Sequence, residues 1–168
     1  MVELDATRVD PPQVAGEREQ LEAWLDYHRA TLLMKCAGLT GDQLRMRSTE
    51  PSKLSLLGLV RHMTDVENGW FSDFVGEMRS RYWTEENYDA DFDDVDTADV
   101  AEAFAAYAEE CDKSRAAAAR NQLDDTYTDE RGRTFDLRWL YLHMIEEYAR
   151  HNGHADLIRE RIDGAVGD

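Results

Sequence analysis

Apolar residues return at three- and four-residue steps over four long stretches of the chain, the spacing of one face of an α-helix. The first runs from Glu17 to about Ala37, with Leu21, Trp24, Leu25, His28, Leu32 and Cys36 on its stripe and Gly38 as a natural stop. A second fits Leu56 to about Val75, capped by Ser52 or Ser55, with Leu56, Leu59, Met63, Val66, Trp70 and Phe74 facing inward. Asp96 or Thr97 can cap a third, which carries Val100, Phe104, Tyr107 and Cys111 and runs through the alanines at 116–119 to about Arg120. TYTDERGRTFD reads as a turn or short hairpin around Arg131 and Gly132, and a fourth helix extends from about Asp136 to Ile162, ending near Gly164.

Gly76 to Asp96 is acidic yet holds Tyr82, Trp83, Tyr88 and Phe92, so it reads as an ordered, lid-like crossover rather than a free linker. Residues 1–15, with Pro11 and Pro12, read as an arm, and residues 16–168 as one helical domain. The expected fold class is all-α, a four-helix bundle with its long crossover after the second helix.

Charge narrows the choice of partners. At −17 the chain lacks the clustered Lys and Arg that phosphate binding needs, which argues against nucleic acid or an anionic membrane and for a small-molecule substrate. No apolar run approaches a bilayer span and the N-terminus lacks a signal-peptide pattern, so the expectation is cytoplasmic. Cys36 and Cys111 have no metal-ligand spacing and read as reduced, buried thiols. The excess of Arg over Lys fits a high-GC bacterial genome. A homodimer is expected only by analogy with other helical bundles.

Three of the five histidines lie in LRWLYLHMIEEYARHNGHADLIRE. At about 100° per residue, with His143 as zero, Glu147 falls near 40°, His151 near 80° and His154 near 20°, among Leu140, Met144 and Ile158. A carboxylate on a core-facing stripe needs a partner. Glu147 and His151, one turn apart, can share an ion or form a hydrogen-bonded His–Glu pair, and spacing alone leaves both open. His62 sits at the edge of the second helix's stripe, flanked by Gly58 and Gly69, whose missing side chains leave room for a ligand. Standing alone, it is as well read as a boundary histidine. His28 and His143 read as core histidines, with His143 too far along the helix to share an ion with His151. Asp65 reads as facing water, while Glu67 can bond a ligand histidine or handle protons.

LSLLGLVRHMTDVENGWF, together with E-x-x-x-H followed by N-G-H, resembles the DinB-like superfamily of four-helix metalloproteins over about Gly16 to Gly164. Glu147 stands where the superfamily commonly has a histidine, which resembles the branch containing the N-terminal domain of mycothiol-dependent maleylpyruvate isomerase. That resemblance implies one divalent ion held by His62, Glu147 and His151, with His154 lining the pocket. Zinc is the first choice, and nickel also fits His2Glu. Three protein ligands leave a position open for a water or a thiol. The chain ends soon after the fourth helix, whereas the isomerase carries a further C-terminal domain, so isomerase activity is not carried over. The expectation is metal-dependent S-transfer from a low-molecular-weight, mycothiol-like thiol to a small electrophile. The alternatives are a metal-dependent hydrolase, with His154 or Glu67 handling protons, and a non-enzymatic metal- or ligand-binding bundle of a stress response.

Overall fold

The structure is a computed structural model and describes residues 4, 6–72, 74, 80–129 and 131–167. Its first helix, α1, spans Glu17–Cys36 with Glu17 and Glu19 in the first turn and Lys35 in the last, charges that complement the helix dipole. The chain leaves it through Gly38 at φ +77°, a left-handed conformation open to glycine. A short helix, α2 at Gly41–Arg45, follows behind a capping box in which Thr40 and Gln43 exchange side-chain and backbone bonds. Five residues are too few for a periodic signal, so the apolar pattern does not reveal it. α3 spans Leu56–Ser72, and the Ser55 hydroxyl accepts the Gly58 N–H at 3.1 Å, so Ser55 rather than Ser52 starts the helix. The expected helix end at Val75 and crossover start at Gly76 lie outside the described residues.

From Ser80 the crossover is ordered by α3 itself. Asp65, 6% exposed, accepts the Ser80 hydroxyl at 2.6 Å and the backbone N–H groups of Arg81, Tyr82 and Trp83 at 2.7, 3.0 and 3.0 Å. The expectation that Asp65 faces water is therefore corrected, since its carboxylate is the anchor of a loop. Further on, Ala90–Asp93 forms α4, followed by a 3-10 turn over Asp94–Asp96 that buries Val95. That turn displaces the next helix start, and the cap of α5 (Val100–Ala118) is Asp99, not Asp96 or Thr97. Arg61 donates to the carbonyls of Asp91 and Ala90 at 3.0 and 2.9 Å and lies over the Tyr82 ring, tying α4 to α3.

The expected hairpin is present as β1 (Thr126–Thr128) and β2 (Thr134–Asp136), antiparallel with Tyr127 opposite Phe135. Asp136 then caps α6, Leu137–Asp163, by accepting the Trp139 N–H at 2.7 Å, and Gly164 at φ +81° ends it. Mostly helical, the chain packs its long helices chiefly as α1 on α6 and α3 on α5, with α3 also against α6 and α1. Leu25, Leu32, Leu59, Met63, Leu140 and Met144 meet in the core between them. The N-terminal arm lies against this body, with Leu4 on the core and the Arg8 guanidinium over Tyr27.

At the centre is a charge. Glu67 of α3 is fully buried and takes a two-point bond from Arg29 of α1, with both N···O distances 2.7 Å. Tyr148 of α6 donates its hydroxyl to the same carboxylate at 2.7 Å, so the 2.9 Å bond between Tyr148 and Tyr107 of α5 is donated by Tyr107. Cys111 of α5 lies 3.8 Å from Glu67 Oε1. Burial pushes both tyrosine hydroxyls well above the ordinary phenol range, so they stay protonated. All four long helices thus meet on one carboxylate. Removing one partner of a buried ion pair strands the other, and Glu67→Gln should lower unfolding free energy by about 3–5 kcal/mol. Tyr107→Phe, which deletes one neutral hydrogen bond, should cost about 1 kcal/mol. Urea denaturation measures both, and equal small losses would contradict a central role for the carboxylate.

Candidate metal centre

His62 projects from α3 toward the crossover and α6. Its Nδ1 lies 2.7 Å from Oδ2 of Asp91, which is 3% exposed. A carboxylate there accepts the Nδ1 proton and leaves the Nε2 lone pair directed elsewhere, the tautomer that a ligating histidine needs. Phe92, beside Asp91, lies on the His62 ring with centroids 5.1 Å apart. The same ring fills the space over Gly58, where a Cβ would come within 2.7 Å of Phe92 Cδ1. Gly58 therefore admits the crossover rather than a ligand, a correction to the sequence reading. Asp91 itself carries no helical spacing and sits in the acidic crossover, so nothing in the sequence singles it out.

Across from His62 stands His151 of α6, with ring centroids 4.7 Å apart. Burial, followed by the nearby His62, His154 and Arg150, lowers its pKa to about 4, so it is neutral at neutral pH, as a metal ligand must be. His151 Nε2 is 3.6 Å from Glu147 Oε2, and its Nδ1 is 3.5 Å from Nδ1 of His154. At that length the contact is much looser than the 2.7 Å bond by which Asp91 holds His62, and His154 stands beside the His151 ring without fixing it.

The arrangement meets a simple test of fit. A hydrogen-bonded His–Glu pair needs about 2.7–3.2 Å between donor and acceptor, and 3.6 Å is too long. Two ligands sharing a tetrahedral ion at about 2.0–2.2 Å stand about 3.4 Å apart. Glu147, partly buried, therefore faces His151 at the spacing of co-ligands.

Glu147 also has a second neighbour. Its Oε1 is 3.6 Å from His143 Nε2, a buried nitrogen with no hydrogen-bond partner among the described residues. Among the described residues, the group of candidate ligand atoms gathered within 4.8 Å of one another is that of His143, Glu146 and Glu147. His62, Glu147 and His151 are not gathered so closely, although His62 and His151 face each other. Helical spacing alone, one turn within α6, thus sets His143 against Glu147 at the same distance as His151. The His143 ring is held by Trp139, stacked at 4.9 Å, and Trp70, edge-on at 4.4 Å. Glu146 is drawn outward by Arg150. Glu67, expected as a proton carrier, has its carboxylate engaged by Arg29 and Tyr148. His28 bonds through its carbonyl to Asn152 at 3.0 Å, a packing contact between α1 and α6. A cavity of about 700 Å³ between α3 and α5, beside Arg81 and Lys113, is lined by none of these histidines.

His62→Ala and His151→Ala should each abolish stoichiometric divalent-metal binding, while His143→Ala should retain it. Asp91→Asn, which keeps the shape but weakens the support of His62, should reduce affinity by about 10–100-fold. Elemental analysis and competition with a chromophoric chelator read both effects. Loss on His143→Ala equal to that on His151→Ala would move the ion to the other side of Glu147.

A search of curated proteins finds no match. A family model described as Mycothiol-S-transferase matches residues 20–164, which takes in α3, α5 and α6 as far as Asp163, and all but the first residues of α1. The chain belongs to the mycothiol-S-transferase family, within the DinB-like superfamily that its motifs resemble.

Proposed function

We propose that the protein is a divalent-metal-dependent S-transferase that joins the sulfur of mycothiol to a small electrophile. Residues 16–168 act as one four-helix domain, with His62, Glu147 and His151 as the ligands of one ion, zinc in preference to nickel. One observation carries the reading: His62 and His151, from different helices, face each other at 4.7 Å with Glu147 beside His151 at co-ligand spacing. The family supports the thiol, and the residues support the ion.

The chain's own sulfurs are poor nucleophiles. Cys36 and Cys111 are buried, and burial pushes both thiols up to about 12, so the reacting sulfur is brought in from outside. When bound, a divalent ion would favour the deprotonated form of an incoming thiol at neutral pH. Asp91 fixes the His62 ring, and Glu147 would add a negative charge to the ligand set. The thiol's sulfur attacks the carbon of the electrophile, forming a C–S bond as the bond to the leaving group breaks. The thiol proton passes to solvent, and the leaving group departs with the bonding pair.

The test is turnover of a haloaromatic or monochlorobimane by the metal-loaded protein. A rate above that of thiol alone is expected only with mycothiol and metal together. His151→Ala should lower it by about 100-fold or more, equivalent to about 2.7 kcal/mol of barrier. Consumption of the electrophile without thiol would instead identify a hydrolase, and no consumption under any condition would leave a binding protein.

A further inference from the structure

The hairpin and the first turns of α6 enclose a cleft of about 480 Å³ with no role so far. Its walls are the rings of Trp70, Phe135 and Trp139, and its rim is polar, with Thr126, Arg133 and Thr134. Trp139 is 44% exposed, although it lies tilted against Phe135 at 5.3 Å and stacks on His143 at 4.9 Å. His143 in turn reaches Glu147 at 3.6 Å. The cleft therefore lies on the same helix as a candidate metal ligand, with the His143 ring packed between them.

Length decides what could be held in the cleft and still reach Glu147 over the face of α6. Trp139 and Glu147 are eight residues apart on one helix, about 12 Å along its axis. A single small ring seated over Trp139 would sit too far from the ion to react there. The occupant must carry its reacting atom well away from the part that is bound. Mycothiol has this form: a cysteine thiol at one end, an amino sugar and a cyclitol at the other. A sugar or cyclitol ring offers an apolar C–H face and a hydroxyl edge. The cleft offers flat aromatic walls and a rim of threonine hydroxyls, the Asp136 carboxylate and the Arg133 guanidinium, which also pairs with Asp129, the mixture that orients a small polar ligand.

We propose that the Trp70–Phe135–Trp139 cleft holds the glycosyl-cyclitol end of the thiol cosubstrate. The proposal rests on the S-transfer reading but is tested apart from it by binding S-methyl-mycothiol, which can neither transfer sulfur nor present a free thiol to the ion. Calorimetric titration should show saturable binding that Trp139→Ala weakens by about tenfold or more and Trp139→Phe weakens less. In turnover, Trp139→Ala should erase about tenfold of any preference for mycothiol over free cysteine. Far-UV circular dichroism checks that the variant folds; if it does not, Thr134→Val at the exposed rim replaces it, with weaker binding expected again. No saturable binding to the wild type, or an affinity unchanged in the folded variants, would overturn the proposal. Binding that depends on Trp139 in a protein without thiol-dependent turnover would uphold the cleft and refute the S-transfer reading. Turnover with mycothiol that is indifferent to Trp139 would do the reverse.

Discussion

A fully buried carboxylate must be neutralised or hydrogen-bonded at every face, and Glu67 can meet that demand in only one arrangement of the four long helices. Arg29 supplies the charge from α1, Tyr148 a hydroxyl from α6, and Tyr107 completes the chain from α5. Apolar side chains tolerate a slip of one helix along another far better than this network does. Its members also lie close in sequence to the candidate metal ligands. Glu67 is five residues after His62 on α3, and Tyr148 directly follows Glu147 on α6. The bond that sets α6 against α3 therefore also sets Glu147 and His151 against His62. A buried ion pair is a weak source of net stability, so its contribution here is better understood as register.

The crossover is held by a second set of polar contacts. Asp65 gathers Ser80 and three backbone N–H groups, Arg61 takes the carbonyls of α4, and Asp91 is thereby placed on His62. Orienting His62 thus depends on residues about 30 positions away. On the α6 side, His154 and Glu147 flank His151 within the same helix and need no long-range help. The two halves of the centre are assembled by different means, one by tertiary folding and one by helical spacing.

That difference explains what the sequence makes legible. The stripes of α1, α3, α5 and α6 were readable because the period of 3.6 residues is local, and Gly38 and Gly164 stop helices where a left-handed residue is required. Glu147 stood out as a carboxylate on an apolar face. Asp91 did not, because its relation to His62 spans 29 residues and exists only after the crossover folds. The pairing of Glu67 with Arg29, across 38 residues, was equally hidden. Gly58 was misread because an absent side chain signals close approach without saying what approaches, here Phe92. His143 reads as core packing when only its distance from His151 is weighed, yet it stands one turn before Glu147, the same local spacing that joins Glu147 to His151.

The two sides of Glu147 give the account its sharpest test. Crystals of the protein grown with zinc, with diffraction recorded above and below the zinc absorption edge, locate the ion directly. The account predicts one strong anomalous peak per chain, about 2.0–2.2 Å from nitrogen atoms of His62 and His151 and from an oxygen of Glu147. A peak bound by His143 and Glu146 instead, or no peak at full zinc occupancy of the solution, would contradict it.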